Sequence, residues 1–114
     1  MEKNYNFTRS DIKMILLSLL SKKDMYGYQL IQKVKELSNN YFLLKEGSLY
    51  PILHSLENDE LINSYWEETA SMRKKKYYSI TEKGKKVLSK EKREWKKYFT
   101  YVNSILGGAI IEEY

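Results

Sequence analysis

The most constraining stretch of the chain is Lys45-Glu46-Gly47-Ser48-Leu49-Tyr50-Pro51-Ile52-Leu53-His54-Ser55-Leu56-Glu57, which holds its only proline and its only histidine. Leu49, Ile52, Leu53 and Leu56 recur at i, i+3, i+4 and i+7, one face of a helix. Gly47-Ser48 precedes that face, where a serine hydroxyl can accept from the free N–H groups of the first turn. Pro51 then falls in the first turn, where its missing N–H breaks no intrahelical bond. The opposite face carries Ser48, Tyr50, Pro51, His54 and Ser55, polar and aromatic with no carboxylate near its start. Such a face suits a phosphate backbone or base edges, so the expectation is a recognition helix for DNA.

Upstream, Ile12, Ile15, Leu16, Leu19 and Leu20 keep helical spacing, placing a first helix at about 9–21 with Thr8 or Ser10 as cap and Asp11 in its first turn. Residues 1–7 read as a flexible lead. Leu30, Ile31, Val34 and Leu37 define a second helix at about 26–38, closed by Ser38-Asn39-Asn40. Gly27 at its start implies close approach by another backbone or a ring, with simple helix packing the favoured reading. Tyr41-Phe42-Leu43-Leu44 has the character of a short extended segment before the recognition helix.

Asn58-Asp59-Glu60 ends the third helix. The β-rich runs 61–66 and 76–80 follow, separated by the polar segment 67–75, and read as a hairpin with a long charged tip. Three helices followed by such a hairpin make a winged helix-turn-helix. Thr81 is the expected cap of a last helix running to Gly107-Gly108, about 38 Å long. Leu88, Trp95, Val102 and Ala109 repeat every seven residues along it, with Tyr98, Ile105 and Phe99, Leu106 in neighbouring rows. A helix this long and apolar is best buried against a second copy. The fold class is therefore α+β, mainly α. Residues 8–81 form the DNA-binding winged helix-turn-helix, 82–108 a C-terminal dimerisation helix and 109–114 a tail.

The chemistry of the chain narrows its function. It has no cysteine and one histidine, which leaves no thiolate nucleophile, disulfide or zinc site. Gly84 lacks the second glycine and the lysine of a phosphate loop. The expectation is no enzyme, no metal and no cofactor. The longest apolar run near the N-terminus, Met14-Ile15-Leu16-Leu17, is far too short to span a bilayer, so no membrane partner and a cytoplasmic location are expected. A net charge of +5 is compatible with an anionic partner without identifying one.

Outside the recognition helix, the strongest feature is Arg73-Lys74-Lys75-Lys76, which on a hairpin would offer cations to phosphates beside a groove. Two such contacts per subunit would give a dimer a log K against log salt slope of about −3.6. Ser48, Tyr50, Pro51 and His54 are the candidate contacts on the helix. Trp95 is expected mainly to pack a dimer, while a pair of Trp95 rings could also flank a planar apolar ligand.

The chain resembles the PadR family of bacterial transcriptional regulators from about residue 12 to 106. The resemblance rests on four motifs in order: 25–30 (Met-Tyr-Gly-Tyr-Gln-Leu), 46–53 (Glu-Gly-Ser-Leu-Tyr-Pro-Ile-Leu), Leu56-Glu57 with Leu61-Ile62, and 76–84 (Lys-Tyr-Tyr-Ser-Ile-Thr-Glu-Lys-Gly). The single C-terminal helix is similar to the short subfamily, which includes a lactococcal multidrug-responsive regulator. The resemblance implies a homodimeric repressor on an inverted-repeat operator, with Trp95 and Phe99 placed to hold a planar small-molecule effector. It also implies a glycine pair before the basic run of the wing, where this chain has Ser71-Met72-Arg73. The rival readings are a winged-helix protein-interaction module and a small-molecule-binding dimer without an operator.

Overall fold

A computed structural model describes residues 9–108. The elements run α1 (Arg9–Lys22), β1 (Met25–Tyr26), α2 (Gly27–Leu37), α3 (Glu46–Asn58), β2 (Ile62–Glu68), β3 (Lys74–Ile80) and α4 (Glu82–Ile105). The three strands form an antiparallel sheet in the order β1-β3-β2. This is a winged helix, mainly helical, with one long C-terminal helix. Thr8, the lead segment and the tail from Ala109 onward lie outside the described residues.

The apolar positions read from the sequence make one core. Leu16, Leu17 and Leu20 of α1, Leu30 of α2, Leu49 and Leu53 of α3 and Ile62 of β2 are fully buried. Residues opposite one another in a ladder share a face. Ile62, Ser64, Trp66 and Glu68 therefore lie on one side of the hairpin with Ile80, Tyr78, Lys76 and Lys74. The buried members Ile62 and Tyr78 turn that side towards the helices, and Leu88 of α4 closes the core.

Three expectations are corrected here. The short strand beside the helices is not Tyr41–Leu44 but β1, where Met25 pairs with Tyr78 and Tyr26 with Tyr77. The link before α3 is coil, anchored by buried Leu44 and by the Ser38 hydroxyl, which accepts from the Phe42 N–H at 3.0 Å. Second, Ser48 does not cap α3. Lys45 is the N-cap, and its carbonyl accepts from both Ser48 and Leu49 N–H, at 3.0 and 2.9 Å. The helix therefore begins earlier than expected, with Glu46 in its first turn. Pro51 lies inside the helix and has no N–H for the Gly47 carbonyl four residues back. Third, the hairpin strands are longer than the apolar runs, so the tip shrinks to residues 69–73 and Lys74, Lys75 and Lys76 belong to β3.

Two other ends match their expected chemistry. Thr81 caps α4, its hydroxyl accepting from Gly84 N–H at 3.0 Å. At the far end Gly107 and Gly108 take φ of 113° and 77°, and the Gly108 N–H returns to the Asn103 carbonyl at 2.8 Å. A left-handed glycine pair of this kind closes a helix at little steric cost.

Candidate nucleic-acid interface

The outer face of α3 follows from the burial of its inner one. With Leu49, Ile52, Leu53 and Leu56 turned inward, Gly47, Pro51, His54 and Asn58 form the opposite ridge at spacings of four, three and four, all exposed. Tyr50 and Ser48 are exposed on its flanks. The four expected helix residues thus lie on or beside one accessible surface. Glu46 and half-buried Glu57 sit towards the Tyr50 edge, so a carboxylate does stand near the helix start, contrary to expectation.

Tyr50 is seated by the helix before it. A Cβ on Gly27 would lie 2.8 Å from Tyr50 Cζ and closer still to its hydroxyl. The ring that Gly27 accommodates is therefore the candidate DNA-contacting tyrosine. Beneath it, burial pushes the Tyr78 phenol above its ordinary pKa, with nearby Tyr50 and Glu57 adding to the shift. The Ser64 hydroxyl donates to the Glu57 carboxylate, which ties the end of α3 to the root of the wing.

These contacts identify the side of the wing that faces the same way as α3. It is the side of Ser64 and Tyr78, and it continues outward through Trp66, Lys76, Lys74 and Glu68. The basic run is split by strand alternation. Lys74 and Lys76 lie on the α3 side, with Lys76 Nζ 5.8 Å from the centre of the Tyr78 ring. Lys75 lies on the reverse, its Nζ 5.5 Å from the Tyr26 ring centre, a cation–π distance. Glu68 and Glu67 stand across the ladder from Lys74 and Lys75, so carboxylates accompany the cations of the wing. Arg73 closes the tip, where its carbonyl accepts from Thr69 N–H at 2.9 Å. Met72 adopts φ 62° there, a left-handed conformation forced on a side chain in a tip without glycine.

The reverse face of the sheet is aromatic. Tyr77 packs edge-on to Tyr26 with centroids 5.3 Å apart and stacks on Tyr65 at 5.7 Å. The Tyr65 hydroxyl donates to Asp24 at 2.7 Å, and loss of that bond on ionisation pushes the phenol up to about 12.

Sequence reasoning missed Gly47, Asn58 and Trp66. Counting on from Pro51 and His54 by three and four would have found the first two. Strand alternation puts Trp66 on one face with Ile62 and Ser64, but nothing in the sequence says that this face outruns the core. Trp66 is 66% exposed beside the wing lysines.

Away from this surface, Trp95 and Phe99 stack along α4 with centroids 5.2 Å apart and planes 16° from parallel. Among the described residues no group of three or more acidic, histidine or cysteine side chains could hold a metal, and no helix is long and apolar enough to cross a membrane.

A family model described as the transcriptional regulator PadR-like family matches residues 16–90. The chain belongs to the PadR-like family of transcriptional regulators. It is similar to a PadR family transcription regulator from Clostridium difficile, with 38% identity and a TM-score of 0.74, covering 84% of this chain and 98% of that one. It is also similar to smu.1704 of Streptococcus mutans, with 33% identity and a TM-score of 0.81, covering 93% and 95%. The transcriptional regulator YqjI of Escherichia coli is 28% identical over 88 residues, 77% of this chain, and the chain spans only 41% of that relative's length. The protein is a DNA-binding transcriptional regulator of this family and not an enzyme. The match to the family ends in the third turn of α4, before Trp95.

Proposed function

We propose that the protein is a homodimeric repressor that binds an inverted-repeat operator and is released from it by a planar apolar small molecule. The observation that carries the dimer is the uncovered stripe of α4. Gly84 and Leu88 on this side of the helix are buried in the core. Further along the same side, Trp95, Tyr98, Val102, Ile105 and Leu106 are exposed, Ile105 by 85% and Leu106 by 71%. An aromatic and aliphatic surface of this extent is stabilised by a second copy laid against it. Two α3 helices held by such a pair would enter successive major grooves about 34 Å apart. The test is a mobility-shift titration of the full chain on its own promoter region. Salt-sensitive binding of two chains per inverted repeat supports the proposal, and its absence favours a protein-interaction module.

Ser48, Tyr50, Pro51 and His54 are the proposed helix contacts, and Lys74 and Lys76 with Arg73 the proposed wing contacts. Because Lys75 faces away, the three lysines are expected to behave differently. Lys74→Ala or Lys76→Ala should each flatten the salt slope by about 1.8 in a dimer. Lys75→Ala should leave that slope nearly unchanged. Equal effects from all three would place the wing differently on the duplex.

The effector reading rests on Trp95 and the resemblance to the multidrug-responsive subfamily. Phe99 of the same chain covers one face of the indole, and the side chain as a whole is 49% exposed. A flat ligand against the remaining face would change the separation of the two α4 helices and so the spacing of the α3 pair, a population shift between dimer geometries. Trp95→Ala is expected to weaken binding of a planar fluorescent dye at least tenfold, with sedimentation velocity on the same sample to separate loss of the ligand site from loss of the dimer. The dye titration is read by dye emission, which keeps Trp66 out of the signal. Unchanged dye affinity would remove Trp95 from the ligand site.

A further inference from the structure

Three glycines lie inside helices, and the fold explains two of them. A Cβ on Gly27 would strike the Tyr50 ring, and one on Gly84 would strike the Leu61 carbonyl oxygen. Gly47 has no such reason. A Cβ there would meet nothing within 4 Å, and its φ is not in the left-handed region. Glycine inside a helix is costly relative to alanine, because it loses more backbone freedom on folding. Gly47 also opens the ridge that continues through Pro51, His54 and Asn58, where it is exposed. The next residue on that ridge is a proline, whose ring cannot swing out and whose N–H is missing from the turn that contains Gly47. The ridge is therefore lowest and stiffest where it begins. A helix backbone stripped of side chain at the start of its outward face is shaped for something outside the chain that comes closer than a methyl group allows.

We infer that Gly47 is a contact position for DNA, where the missing side chain lets the α3 backbone lie directly against the wall of the major groove. This rests on the DNA-binding reading of α3. Close approach at Gly47 sets how deep the helix sits, and so which of the flanking side chains Ser48, Tyr50 and His54 reach base edges.

The experiment compares Gly47→Ala, Gly47→Ser and His54→Ala in the full-length dimer, by thermal melting and by mobility shift on duplex DNA from the protein's own promoter region. Gly47→Ala is expected to leave Tm unchanged or raise it slightly, since it removes a first-turn glycine without any clash. The same substitution should weaken DNA binding at least tenfold, and Gly47→Ser should weaken it more. Unchanged affinity overturns the inference. So does a fall in Tm, which would mean that the glycine serves the fold. His54→Ala separates the two levels of the reading. If it weakens binding while Gly47→Ala does not, only the Gly47 inference fails. If neither matters, α3 is not the DNA-binding helix and both fail.

Discussion

Val102→Asp is expected to break the proposed dimer into monomers at micromolar concentration and to reduce affinity for an inverted repeat at least a hundredfold. Val102 is half-exposed in the middle of the α4 stripe, with Trp95 two turns before it and Ile105 and Leu106 one turn after it. In a symmetric pair each substitution counts twice, so two carboxylates would enter an apolar contact without partners. Stranding even one buried charge costs about 3–5 kcal/mol. The fold of each protomer should survive, because Val102 lies beyond the part of α4 that joins the core, which ends near Leu88. A monomer keeps one reading head and loses the gain from holding two at a fixed spacing. Sedimentation velocity and a mobility shift on the same samples check both halves of this expectation. A variant that stays dimeric and binds normally would move the interface off α4.

The stripe was legible in the sequence because its period is local. Leu88, Trp95 and Val102 recur every seven residues, and a helix places them in one row whatever surrounds it. The inner face of α3 was legible for the same reason. What could not be read locally was anything decided by pairing across the chain. Met25-Tyr26 looks like the start of a helix, and only its partners Tyr78 and Tyr77, about fifty residues later, make it a strand. Ser48 had the right chemistry for a cap, yet buried Leu44 brings the chain in three residues earlier and the cap falls to Lys45, whose side chain makes no capping bond. The charged part of the hairpin reads as loop because Glu67, Glu68, Lys74 and Lys75 carry no apolar signal. They pair across the ladder in register all the same.

Net charge says little about the head for a different reason. α4 carries eight of the chain's 20 basic residues and three of its 15 acidic ones. Its surplus of five equals the net charge of the whole chain, and residues 1–81, with 12 basic and ten acidic residues, carry a surplus of only two. With so small a surplus, the proposed attraction of this head to DNA depends on which side of the wing each lysine occupies, which is why splitting the basic run into Lys74 and Lys76 against Lys75 matters more than its length.

Gly84→Ala is expected to be the most destabilising small substitution in the chain. Gly84 is buried in the first turn of α4. An added methyl would run into the Leu61 carbonyl oxygen, with Ile80 Cγ1 only 2.8 Å away. That carbonyl is not free to yield, because it accepts the Thr81 N–H at 3.0 Å, and Thr81 in turn caps α4 and donates to the Glu60 carbonyl at 2.7 Å. One joint thus holds the start of β2, the end of β3 and the start of α4. Forcing it apart is expected to cost about 3 kcal/mol, in the range of overpacked cores. For a domain of this size that lowers Tm by roughly 12–20 °C, measurable by circular dichroism. Gly27→Ala should be milder on stability, because the obstacle is the far end of the Tyr50 side chain, which can swing away. It should still weaken DNA binding, because that ring is a proposed contact. Gly47→Ala, with no obstacle at all, should leave stability unchanged or raise it slightly. The same methyl added at three helical glycines is thus expected to act first on the frame that aims the wing, then on the seat of a reading side chain, and last on the reading surface alone. A uniform fall in Tm across all three would show instead that α3 needs its glycine for folding, and would leave the outer ridge without its distinguishing feature.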